Sequence, residues 1–177
     1  QIVTHQLSDL GFGRPVFIGY NTLLWEIAKR AFRLSPLDVE WVVMCGLVLT
    51  GALGVVLFFR FARRLLGEGA ARLVALALLL SPLYALYSGF IMTEVPMIVM
   101  AIAAAAVLWA SHAKHPELGS LAGGALFGLA VGIREQAVTL GAAYLWILWV
   151  RRPDMRSRLL GWMLFGSSAL AVIALPI

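Results

Sequence analysis

Polar cover is what this sequence lacks. Only 13% of its 177 residues are Asp, Glu, Lys or Arg, while 62% are hydrophobic. Soluble domains carry roughly 25% charged residues and need them along every element to clothe the surface, so the deficit excludes an ordinary water-soluble domain. Cysteine is almost absent as well. The single Cys45 lies inside an apolar run, which supports neither a disulfide framework nor a thiolate metal site. Zinc-ligand spacing, a phosphate-cradling glycine loop and a strained nucleophile turn are all missing. Acidic residues are outnumbered nine to fourteen by basic ones, for a net charge of +5. The basic residues cluster between apolar runs, so this excess reads as membrane topology and not as a nucleic-acid surface.

What is present is a series of apolar runs of up to 21 residues, separated by short charged stretches. That is the sequence form of repeated bilayer crossings. The first span is expected over 39–59, closed by Arg60, Arg63 and Arg64. The second covers 71–87, interrupted near Ser81-Pro82. A polar break at Ser88-Gly89 and Thr93-Glu94-Val95-Pro96 precedes a third, which ends near 110. The fourth covers 118–133, the fifth 137–150 and the sixth 159–177. Six crossings follow if the broken second and third are kept apart. The fold class is therefore an all-α polytopic transmembrane bundle over 38–177, preceded by an extracytoplasmic segment over 1–37.

Within 1–37, Gly11, Gly13, Pro15 and Gly19 predict loop geometry near the start. Residues 21–34 predict a short juxtamembrane helix, with Leu23, Leu24, Ile27, Ala31, Phe32 and Leu34 on one side and Glu26, Lys29, Arg30 and Arg33 elsewhere. Ser35 to Asp38 suit a cap for the next helix. The chain opens at Gln1 and closes in an apolar run, so a piece of a longer protein is expected. Orientation follows from the positive residues. With the 60–72 loop in the cytoplasm, nine Lys and Arg fall on that side and five opposite, which puts the N-terminal segment outside.

Few residues are left to carry chemistry, and most fall on the outer side. Glu94 follows Thr93 at the junction of the second and third spans. It suits either a solvated carboxylate in a first helical turn or a carboxylate facing an outer cavity. Arg134, Glu135 and Gln136 fall on the same outer face. An arginine there either pairs with Glu135 or a lipid headgroup, or grips a phosphate through its fork of donors, with Gln136 adding a hydrogen bond. Asp9, beside His5, is a candidate general base, while capping accounts for Asp38. His112 and His115 share a helical face but lack carboxylates other than Glu117. No metal site is expected, and a divalent cation, though possible, is not indicated. Gly119, Gly123, Gly124, Gly128 and Gly132, with Ala122, predict a flat ribbon that admits a neighbouring helix. Tyr84, Tyr87, Trp109, Trp146 and Trp149 read as interfacial aromatics.

Several stretches then resemble a known group. Arg60-Phe61-Ala62-Arg63-Arg64-Leu65-Leu66-Gly67, Leu80-Ser81-Pro82-Leu83-Tyr84, and Ser88-Gly89 with Thr93-Glu94 resemble the early core of the GT-C superfamily. These are multi-pass glycosyltransferases that use polyprenyl-phosphate-linked sugars, among them protein mannosyltransferases and aminoarabinose transferases. Gly128 to Arg134 resembles their next stretch, and Gly19-Tyr20-Asn21 with Leu23-Leu24 resembles a Pro-Gly-Tyr-Pro-Leu segment after the first outer loop. Asn21 and Glu135 depart from it, standing where the family commonly has proline.

The resemblance implies an inverting transfer from a polyprenyl-phosphate sugar at the extracytoplasmic face of a prokaryotic plasma membrane. It makes Glu94 a site carboxylate, and it makes Arg134 the holder of the donor phosphate. Glu135, Gln136 and Tyr20 join as substrate-binding residues. The family's catalytic acid falls before Gln1, leaving Asp9 as the upstream carboxylate. The partners implied are the lipid-linked donor, membrane lipids, and a glycan, lipid or protein acceptor, with no nucleic acid and no required cofactor. A transporter or flippase is the rival, and it would place polar residues near the bilayer midplane, where only Thr50 and Thr139 are candidates. A non-catalytic assembly subunit would need no convergence of Glu94 and Arg134, whereas a transferase would turn both toward one outer cavity.

Overall fold

The computed structural model describes residues 15–32, 36–88, 93–111 and 115–174. Among these there is no strand. The helices are α1 (Pro15–Phe32), α2 (Pro36–Leu66), α3 (Glu68–Leu79), α4 (Pro82–Ser88), α5 (Glu94–Ser111) and α6 (Pro116–Ile133). A 3-10 segment (Glu135–Leu140) leads into α7 (Gly141–Arg151), and α8 (Met155–Ile173) follows. Proline opens α1, α2, α4 and α6, the position where its missing N–H costs nothing and its fixed φ suits the first turn. That explains one difference from the sequence reading. Pro15 starts a helix that runs through Gly19, where loop geometry was expected; Gly11 and Gly13 lie outside the described residues.

By length and composition, α2, α5 and α6 are each able to cross a membrane, and the bent pair α3–α4 makes a fourth if taken as one span. At 31 residues, α2 is about 46 Å long, well beyond the ~30 Å hydrocarbon core of a bilayer. Its surface is apolar and open, with Leu49 69% exposed. In water such a face would drive association, whereas lipid solvates it. The fold is thus an all-helical membrane bundle. The 11-residue α7 is short for a crossing, and α8 carries Arg156 and Arg158 in its first turns.

The chain divides into two compact units between Pro96 and Met97. In the first, α2 stops at Gly67, whose φ of 81° lies where side-chain-bearing residues are strained. Its N–H donates to the Arg63 carbonyl at 3.2 Å. The turn lets α3 fold back along α2, and buried Ala62, Ala71 and Ala75 keep their side chains small near it. Pro82 then breaks the return strand of helix, and α3 and α4 meet at 61°. α1 also packs on α2. The face of α1 that is buried carries Asn21 and Ala28, while Leu23 and Ile27 are exposed. An open groove of about 480 Å³ runs past Leu23, Glu26, Ile27 and Arg30, with Arg30 and Glu26 paired at 3.1 Å.

The second unit is centred on Phe127, Tyr144 and Phe165, with Ala104, Leu108, Leu148 and Ala169 around them. Phe127 stacks on Phe165 at 5.3 Å and meets Tyr144 edge-on at 5.1 Å. Tyr144 donates its hydroxyl proton to the Ala101 carbonyl at 3.0 Å, so this buried polar atom is paired as burial requires. The glycines of α6 do not form one flat ribbon. Gly119 and Gly123 face Ser111 and Leu108 of α5, whereas Gly124 and Gly128 face Phe165, Ser168, Ala169 and Val172 of α8. Residues 119 and 124 are five apart, which turns them about 140° around the axis at 3.6 residues per turn. Two close helix neighbours are served instead of one.

Candidate active site

Arg134 sits where α6 ends. Its backbone is extended (φ −153°, ψ 119°), and its N–H closes the helix on the Ala130 carbonyl at 2.9 Å. The chain then turns into the 3-10 segment, anchored by buried Ala137. This corner turns the Arg134 side chain toward Gln136, whose Oε1 accepts from Nε at 2.7 Å. The Gln136 carbonyl in turn accepts from Thr139 Oγ1 at 2.8 Å. A bond at Nε constrains the plane of the guanidinium, a group whose fork of donors suits oxyanions in general. Glu135 is exposed beside it. Three sequence candidates are therefore gathered at one corner. The fifth apolar run begins there in the tighter 3-10 geometry, not as the continuous helix expected.

Glu94 lies in the other unit, as the first residue of α5, and is half-buried. Its junction is pinned against α2 at Gly51. A Cβ on Gly51 would come within 2.6 Å of Ser88 Oγ and 3.5 Å of Val95 Cγ1. Tyr84 donates to the Gly51 carbonyl at 2.8 Å, and Ser88 donates to the Tyr84 carbonyl at 2.7 Å. Gly51 is at the midpoint of α2, so α2 continues roughly 22 Å beyond this level toward its N-terminus. Tyr84 is thus a structural strut at the break, a role hidden in the sequence, where it read as an interfacial aromatic.

Asp9 and His112 lie outside the described residues, and Tyr20 and Glu40 fall within α1 and α2 with side chains outside them. Asp38 is exposed in the first turn of α2, where the helix dipole favours a carboxylate. Among the described residues no group of three His, Cys, Asp or Glu gathers to hold a metal ion.

Two polar features escaped the sequence reading. Asn21 and Thr93, 4% and 1% exposed, bury side-chain oxygen and nitrogen atoms that have no hydrogen-bond partner among the described residues. An unpaired buried group costs about 1–3 kcal/mol. Arg152 is the second. It is 6% exposed and donates from Nη2 to the Pro116 carbonyl at 2.6 Å and to Ser120 Oγ at 2.8 Å. Burial pulls its pKa down, against the pull of Glu117 and Asp154. Arg151 lies 4.0 Å over the Trp109 ring and Arg158 4.3 Å over that of Trp149. Cations counted only as topological charge therefore tie α5, α6, α7 and α8 together. The one available signal was the pairing of Arg151 and Arg158 with tryptophans at neighbouring helix ends.

Apolar helices of membrane length, several of them separated by short polar junctions, define a polytopic helical membrane protein. The family model for dolichyl-phosphate-mannose-protein mannosyltransferases matches residues 24–177, and the chain belongs to that family. It is a membrane glycosyltransferase of this general type, with a GT-C-like helical fold. No curated protein and no solved structure gives a significant match.

Proposed function

We propose that the chain forms part of an inverting transferase that moves a sugar from a polyprenyl-phosphate donor to an acceptor at the extracytoplasmic face. Six crossings are part of this reading. The 3-10 segment with α7 spans roughly 28 Å and α8 about the same, enough to cross the apolar core. The excess of Arg and Lys in the loops joining α2 to α3 and α7 to α8 supports a cytoplasmic position for those loops.

The observation that carries the proposal is the Arg134 corner, in a chain whose family acts on a lipid phosphate. An acceptor oxygen attacks the anomeric carbon, the bond to the lipid phosphate oxygen breaks, and the electron pair leaves with the phosphate. Arg134, oriented by Gln136, stabilises the negative charge that grows on that leaving group. Glu94 acts as a site carboxylate. A general base takes the acceptor proton, and Asp9 is the candidate upstream.

The test is transfer from a radiolabelled polyprenyl-phosphate sugar by membranes carrying the protein, compared with Arg134→Ala and Glu94→Gln at equal expression. Loss of a leaving-group contact of this kind costs on the order of 100-fold in kcat. Full activity in both variants would remove these residues from the site while leaving the enzyme in place.

A further inference from the structure

We infer that Asn21 and Thr93 are substrate-binding residues that hydrogen-bond the hydroxyl groups of the transferred sugar. This rests on the transferase reading above. Both belong to the first unit. Asn21 is carried by α1, which packs on α2. Thr93 immediately precedes α5, whose start is pinned to the middle of α2 at Gly51. Both are at least 96% buried, yet Asn21 Nδ2, Asn21 Oδ1 and Thr93 Oγ1 make no hydrogen bond among the described residues. Thr93 stands where a threonine hydroxyl normally caps the helix it precedes, and it does not do so.

Neighbouring polar groups show what ordinary satisfaction looks like here. Ser88, Tyr84 and Thr50 all donate to backbone carbonyls between 2.7 and 2.8 Å. Buried polar groups in folded proteins are nearly always paired, and those left unpaired call for an outside partner. The chemistry of the orphaned atoms selects that partner. The carboxamide offers a donor and an acceptor side by side, and the threonine hydroxyl can act as either. A sugar hydroxyl is also both donor and acceptor, so neighbouring hydroxyls match this set. A phosphate has only acceptors and calls for a cation such as Arg134 instead. The two residues therefore suit the neutral, hydroxyl-bearing part of the donor, and Thr93 directly precedes Glu94, the site carboxylate, in the chain.

The experiment uses the purified protein with radiolabelled polyprenyl-phosphate mannose, comparing wild type with Asn21→Leu and Thr93→Val. Each change removes polar atoms and keeps the branched shape of the side chain, Thr93→Val at nearly constant volume. KM for the donor should rise about tenfold per hydrogen bond lost, with a smaller change in kcat. The melting temperature without donor should hold or rise, because an unpaired buried amide or hydroxyl has been replaced by an apolar group. A structural role would do the reverse, so a fall in melting temperature with KM unchanged overturns the inference. A donor lacking one ring hydroxyl should lose affinity for wild type but little for the variant that has lost its partner; equal losses in both overturn the assignment to sugar hydroxyls. Wild-type protein that transfers from no lipid-linked sugar would instead sink the transferase reading itself.

Discussion

Replacing Gly124 by alanine puts a methyl group where α6 and α8 already touch. The added Cβ would lie 2.2 Å from the Phe165 carbonyl oxygen and 2.2 Å from Ser168 Oγ. An ordinary contact needs about 3.4 Å, so something must yield by about 1.2 Å. The carbonyl belongs to the α8 backbone and cannot rotate away. Ser168 could rotate, but its hydroxyl donates to the Leu121 carbonyl of α6 at 2.9 Å, and that bond would go. Separating the most extensive helix pair among the described residues carries the overpacking cost of about 1–3 kcal/mol, with about 1 kcal/mol more for the lost hydrogen bond. The better helix propensity of alanine returns roughly 1 kcal/mol. The net loss is about 1–3 kcal/mol, a fall in melting temperature on the order of 5 °C. Thermal unfolding of the detergent-solubilised protein reads it directly. Gly166→Ala, on α8 with nothing within 4 Å of its added Cβ, is the control and should be neutral or slightly stabilising. Equal behaviour of the two variants would refute the close-packing argument.

Other outcomes follow from the same geometry. Arg152→Ala removes two hydrogen bonds from a buried cation and should cost about 2–3 kcal/mol, read as lowered thermal stability. Tyr144→Phe, which loses only the bond to the Ala101 carbonyl, should cost about 1 kcal/mol. Gln136→Ala should lower donor transfer less than Arg134→Ala does, because it removes one contact of the guanidinium and leaves the charge in place. The Asp154 carboxyl is held below its usual range by the Ser157 N–H and hydroxyl, so its contribution is present above its unfolded pKa and lost as pH falls through the folded value. The melting temperatures of wild type and Asp154→Asn should therefore converge as pH is lowered from 6 toward 3.

Much of this fold was legible because a bilayer imposes few solutions. Long apolar runs marked α2, α5 and α6, and Ser81-Pro82 marked the bend between α3 and α4, since proline breaks the hydrogen-bond ladder wherever it falls inside a helix. Proline was also misread. Pro15 opens α1 because the first turn needs no N–H from it, and nothing local separates that use from a loop. The α6 glycines were seen as a seam, but spacing alone could not say that α5 and α8 divide them. Burial was the hardest property to foresee. Arg152 and Asn21 look like surface residues in sequence, and only tertiary packing removes them from solvent. At the candidate site, Arg134 and Gln136 were named from the sequence, while the hydrogen bond that joins them depends on the extended joint after α6. Thr93 was read as part of a polar break, its burial invisible.

The measurement that tests the central claim most directly uses full-length protein purified into liposomes with radiolabelled polyprenyl-phosphate mannose and a membrane extract as acceptor source. A transferase releases unlabelled polyprenyl phosphate as label passes to the acceptor, in equal amounts. Label that crosses the bilayer still attached to its lipid phosphate, with none on an acceptor, would contradict the account and make the protein a lipid transporter.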